Sequence, residues 1–153
     1  MSMPRLAAAL FFLHGCVAAP FDGPGFDDGV ELEGPFLAAI THTRIAQGEQ
    51  AAFAAHLDAI KDQQDRHEGF IGRSLRIRLT SRTRWTLTIW QDEDSMMRFV
   101  TSGAHLDAMV ESSAVIDGVR SAIWTVDDDD DFPPKWTDAM DRLDSQSPDI
   151  PWE

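Results

Sequence analysis

Arg84-Trp85-Thr86-Leu87-Thr88-Ile89-Trp90-Gln91-Asp92-Glu93-Asp94 is the stretch that decides the fold. Trp85, Leu87 and Ile89 fall on one side of an extended chain and Thr86, Thr88 and Trp90 on the other, a period of two that reads as a strand. Asp92-Glu93-Asp94 then brings negative charge to a helix start, where the macrodipole favours it. A helix is therefore predicted from Ser95 to about Ser112, carrying Met96, Phe99, Val100, Ala104 and Met109, with a break near Gly103. Upstream, Phe70 to Leu79 sets Leu75, Ile77 and Leu79 against Ser74, Arg76 and Arg78. Only Thr80 to Thr83 separate the two alternating runs, which predicts an antiparallel hairpin.

Outward from this hairpin, Phe36 to Ile45 is apolar and then β-branched and ends at Gln47-Gly48, so it reads as a first strand. From Glu49 to Arg66, Phe53, Leu57 and Ile60 recur at i, i+4 and i+7, an amphipathic helix closed by Gly69. Val119 to Val126 supplies a last strand. The fold class is α+β: a ferredoxin-like β-α-β-β-α-β order, giving a four-stranded antiparallel sheet with two helices on one face.

The flanks differ in kind. Residues 1–16 hold one base, Arg5, an apolar run from Leu6 to Leu13, then His14-Gly15-Cys16, the order of a secretory signal and too short to span a bilayer. Leu13-His14-Gly15-Cys16 also resembles a bacterial lipoprotein box, which implies lipidation at Cys16, export, and a cell-envelope protein that meets the membrane only through its anchor. Residues 17–35, with three prolines and four glycines, read as a linker. Residues 36–126 form the domain, and 127–153 an acidic tail with ten acids and two bases. Within the tail, Phe132 to Trp136 and an amphipathic stretch from Met140 to Leu143 are positioned to pack back on the domain.

The 153 residues suffice for one core, and 43% hydrophobic content can fill it. A net charge of −13 disfavours nucleic acid and anionic lipid as partners. One cysteine excludes an internal disulfide and a multi-cysteine zinc site. The five histidines show neither i, i+2 nor i, i+4 pairing, and Phe132 stands where a calcium loop starting at Asp127 needs glycine, so no metal site is expected.

Glu68-Gly69-Phe70-Ile71-Gly72, the run from Trp85 to Asp94, Met97-Arg98-Phe99 and Ser102-Gly103-Ala104-His105 together resemble the antibiotic biosynthesis monooxygenase superfamily. The nearest likeness is to bacterial members related to spheroidene monooxygenase. The resemblance implies a dimeric α/β barrel, in which the sheets of a homodimer meet and each subunit keeps a cavity between helices and sheet. It implies monooxygenase-like chemistry on a small apolar or aromatic molecule, with either no cofactor or haem. The residues of haem-degrading members would fall at Thr41, Phe99 and Met109, and none matches.

His105, just after the break in the second helix, is the expected catalytic group, as a base near neutral pH or an axial ligand. Thr41 and His42 lie on opposite faces of the first strand, so one of them lines the cavity. Trp85, Phe99 and Met109 supply flat apolar surface for a ligand. Arg76, one of five arginines between Arg73 and Arg84, is placed to bind a ligand carboxylate or to pair across a dimer. The alternative to an enzyme is a non-catalytic ligand-binding or structural lipoprotein of the same fold.

Overall fold

The computed structural model describes residues 15–127 and 132–147. The expected signal segment up to His14 and the aspartates 128–131 lie outside them. Its elements run β1 (Cys16–Ala18), a 3-10 turn (Pro24–Phe26), β2 (Phe36–Ile45), α1 (Gln50–Gln64), β3 (Phe70–Arg78) and β4 (Thr83–Trp90). There follow α2 (Glu93–Val100), α3 (Gly103–Val115), β5 (Ile116–Val126) and α4 (Trp136–Gln146). The predicted β-α-β-β-α-β order is present as β2 to β5, with the second helix divided into α2 and α3 at the predicted break.

The sheet has five strands, not four, in the order β1-β3-β4-β2-β5, all neighbours antiparallel. The extra strand, β1, sets Cys16 opposite Arg78 and Ala18 opposite Arg76. Three residues at an edge carry no periodicity, so nothing in the sequence pattern marks them. The stretch read as a linker is packed: Phe21 and Phe26 stack at 5.3 Å and, with Leu32, cover Phe36, Ile71 and Ile89.

Alternation along β2 buries Phe36, Ala38, Ile40 and His42 on one face and turns Ala39, Thr41 and Thr43 to the other. The first face continues through Trp85, Leu87, Ala122 and Trp124 and is covered by α4 through Trp136, Ala139, Met140 and Leu143. Trp136 Nε1 donates to Ser74 Oγ at 3.0 Å, and Ser74 Oγ donates to the Ala19 carbonyl at 2.6 Å. Arg120 reaches Asp144 Oδ1 and the Ser147 carbonyl, each at 3.0 Å, which fixes the far end of α4.

The barrel arrangement would seat a partner's sheet on this same face. Here the chain's own tail occupies it, so sheet-to-sheet contact of that kind requires α4 to leave. Arg76 of β3 is engaged within the chain: its guanidinium lies 6.0 Å from the Trp85 ring and 5.8 Å from that of Trp136, between sheet and α4.

Candidate functional site

On the opposite face, α1, α2 and α3 do not close down on the sheet. They leave a cavity of about 490 Å³ roofed by Phe53, Leu57 and Ile60 of α1, Phe99 of α2 and His105 and Met109 of α3. Much of the floor is short, since β2, β4 and β5 present Ala39, Thr41, Thr43, Thr86, Thr88 and Ser121 there, while the longer Trp90 meets Phe99 of the roof at 4.9 Å between ring centroids. The apolar stripe of α1, which would ordinarily be core, therefore lines an open space, and the one buried residue of that helix is Gln64.

His105 is held at the α2–α3 junction. Asp92 caps α2, its carboxylate accepting from Ser95 N at 2.7 Å and from Ser95 Oγ at 2.6 Å, and these bonds hold the Asp92 carboxyl below its ordinary pKa. The helix ends after Val100, where the Thr101 and Ser102 hydroxyls donate back to the Met97 and Arg98 carbonyls. Gly103 then turns the chain at φ +55°, a conformation suited to glycine, and starts α3.

Gln63 of α1 ties this junction together. Its Nε2 donates to the Ser102 carbonyl at 3.0 Å, and its Oε1 accepts from the backbone N–H of His105 at 2.9 Å. The His105 Nδ1 lies 3.1 Å from the Val100 carbonyl, which must accept, so Nδ1 carries the proton and Nε2 the lone pair. Burial pushes the His105 pKa below its ordinary value, partly offset by the bond to Val100. At neutral pH the side chain is thus a neutral imidazole with a basic Nε2, on an apolar wall beside Phe99 at 5.1 Å between ring centroids.

Of the residues singled out from sequence, the structure brings Thr41, Phe99, His105 and Met109 to the cavity. It places His42, Trp85 and Arg76 on the other face of the sheet, because strand alternation turns each away from the helices. There His42 stacks on Trp85 at 4.5 Å, and its Nδ1 accepts from Arg120 Nε at 3.1 Å, beneath α4. These three cannot touch a molecule in the cavity. Sequence reasoning missed Gln63 and Gln64, since a glutamine on a helix gives no signal until its partner is known: Ser102 and His105, some forty residues on, for Gln63, and Arg73 for Gln64. It also missed Arg73, which lines the cavity wall and pairs with Asp65 at 2.6 Å and Asp22 at 3.5 Å.

Among the described residues no group of three or more metal-ligating side chains converges, and no helix is long and apolar enough to cross a membrane. Cys16 is exposed at the start of β1.

Solved structures share the fold. A cofactor-independent oxygenase, SnoaB from Streptomyces nogalater, is 17% identical with a TM-score of 0.53, over 61% of this chain and 94% of its own. The Rv0793 protein of Mycobacterium tuberculosis reaches a TM-score of 0.57 at 14% identity, over 62% of this chain and 98% of its own. PA3566 of Pseudomonas aeruginosa gives 0.54 at 18%, over 63% and 96%. No curated protein matches the sequence. Residues 37–148, which take in both the cavity and α4, match the family described as domain of unknown function (DUF3291), and the chain belongs to that family.

Proposed function

We propose that this protein is monooxygenase-like and binds, and oxidises, a small apolar or aromatic molecule in the cavity beneath α1 to α3. The observation that carries the reading is His105: a neutral imidazole whose Nδ1 is anchored on Val100 and whose Nε2 has no hydrogen-bond partner among the described residues, set in the wall of a large apolar cavity. Such a group takes a proton from an acidic O–H or C–H of a bound molecule, and the resulting anion is the form that gives electrons to dioxygen. The shared fold with SnoaB and the likeness to the spheroidene monooxygenase branch support this chemistry. Export and a lipid anchor at Cys16 belong to the same reading, on the strength of the Leu13 to Cys16 motif.

Haem fits this lining poorly. His105 offers one iron ligand, but the two haem carboxylates need cations, and Arg73 is committed to Asp65 and Asp22 while Lys61 faces Asp58 at 3.5 Å. An uncharged occupant suits the wall better.

A non-catalytic binding protein is the second reading, favoured by the absence of the haem-degrading residues at Thr41, Phe99 and Met109. Mass spectrometry of small molecules that co-purify with the protein, followed by incubation with dioxygen, separates the two. Under the first reading the bound molecule is consumed and an oxygenated product appears in wild type but not in His105→Ala. A molecule bound and recovered unchanged would establish the second.

A further inference from the structure

The cavity floor has a feature that neither His105 nor the apolar roof explains. Thr41 lies opposite Thr86 on one side and opposite Ser121 on the other, so three hydroxyl side chains form a single row across β5, β2 and β4, ending at Leu75 of β3. All three line the cavity. None of their hydroxyls has a hydrogen-bond partner among the described residues. Thr88, elsewhere on the floor, differs: its Oγ1 donates to the Ala39 carbonyl and accepts from Trp90 Nε1 at 3.0 Å. Thr43 adds one more hydroxyl a row along β2. Ser121 is exposed on the edge strand β5 and Thr41 and Thr86 are half-buried, so water reaches these hydroxyls, and an occupant that displaces it keeps its affinity only by replacing those hydrogen bonds.

Neighbouring strands stand about 4.8 Å apart, so the row offers neutral donors and acceptors at that interval over about 10 Å. Among the described residues no unpaired basic side chain joins them, since Arg73 faces Asp65, Lys61 faces Asp58 and His56 faces Glu111. We infer that the Ser121–Thr41–Thr86 row is the specificity element of the cavity, and that its ligand is an uncharged molecule with two or more ether, carbonyl or hydroxyl oxygens about 5 Å apart along one face. The apolar roof covers the ligand's other face. A carboxylate or phosphate suits the row less well, because neutral hydroxyls do not offset the cost of withdrawing a charge from water. This inference rests on the cavity being a ligand site, but not on any chemistry at His105.

The test uses two probes of nearly equal shape, 1,4-dimethoxynaphthalene, whose two oxygens stand para across one ring, and 1,4-diethylnaphthalene, which has carbon in their place. Binding to the full chain is followed by quenching of tryptophan fluorescence, since Trp90 lines the cavity. Wild type is expected to prefer the dimethoxy probe. Thr41→Val and Thr86→Val should each weaken that probe about fivefold, the loss of one neutral hydrogen bond, while binding the diethyl probe as well as or better than wild type. Both variants suit a strand and should keep the fold, which circular dichroism checks. Equal binding of the two probes by wild type, or parallel changes for both in the variants, overturns the hydroxyl-row inference while leaving the cavity reading intact. Binding of neither probe to wild type overturns the cavity reading, and this inference with it.

Discussion

Gln63 Oε1 accepts a hydrogen bond from the backbone N–H of His105 at 2.9 Å, so one side chain of α1 sets the position of the cavity's ionisable group on α3. The same amide donates to Ser102 O, and a Cβ placed on Gly103 would stand 3.0 Å from it. The helix break, the glycine and the glutamine therefore form one device. It gives the N–H of His105 at the start of α3 a partner that the helix cannot supply, and adds a second donor to the Ser102 carbonyl, which already accepts from Leu106 N at 3.3 Å.

Gln63→Ala should accordingly do two things. It removes the partner of the His105 N–H, at a cost of about 1 kcal/mol in stability, and it opens the junction to water. The His105 pKa should then rise back towards the ordinary histidine value, because burial is what depresses it. Proton NMR titration of the imidazole measures this. An unchanged His105 titration alongside lowered stability would show Gln63 to be a structural tie only.

The depressed His105 pKa also has a sign in stability. The folded state binds this proton less readily than the unfolded chain, whose imidazole titrates near 6.5. The contribution of His105 is complete above that value and is lost as pH falls through the lower, folded pKa. Thermal melts between pH 8 and pH 4.5 should show a steeper loss of stability for wild type than for His105→Gln. Identical pH profiles would mean that the His105 environment does not differ between the folded and unfolded states.

How much of this was readable beforehand divides along physical lines. β2, β4 and the α2–α3 break have strong local signals, because alternation between water and core, an Asp cap and a helix-interrupting glycine are each written in adjacent residues. β1 and α4 owe their placement to distant partners: Trp136 finds Ser74, and Arg120 finds Asp144. The cavity itself was half visible. His105 stood out as an ionisable group after a break, whereas Trp85 looked like ligand surface until strand pairing assigned it to the face under α4. The small floor residues drew no attention singly, since only register reveals that Thr41, Thr86 and Ser121 share a row.

α4 should prove integral to the fold. Leu143 and Ala139 are fully buried against Trp85, Leu87 and Trp124, so Leu143→Ala should cost about 2–5 kcal/mol through lost burial and a residual void. Chemical denaturation gives the value. Arg76→Glu should also destabilise, since it replaces a cation between two tryptophan rings by an anion. Sedimentation of wild type should show no dimer formed through this sheet face. A dimer that dissociates in Arg76→Glu, with no change in the melting transition, would instead mean that α4 gives way to a second copy.

Cys16 provides the last test, and β1 sharpens what it means. If the chain is cleaved and lipidated at this residue, the anchor sits at the first position of an edge strand, because Cys16 pairs opposite Arg78 and Ala19 N donates to the Leu75 carbonyl at 2.8 Å. The domain would then stand at the membrane by its β1 edge with no free tether between. Cys16→Ala should abolish incorporation of labelled palmitate and move the protein from the membrane to the soluble envelope fraction of the source cell. Its melting temperature should be unchanged, since the side chain is exposed and meets no core residue. Equal labelling of wild type and variant would remove the lipid anchor. Unlabelled wild type in the cytoplasm would remove export as well, leaving Cys16 as an ordinary edge-strand residue.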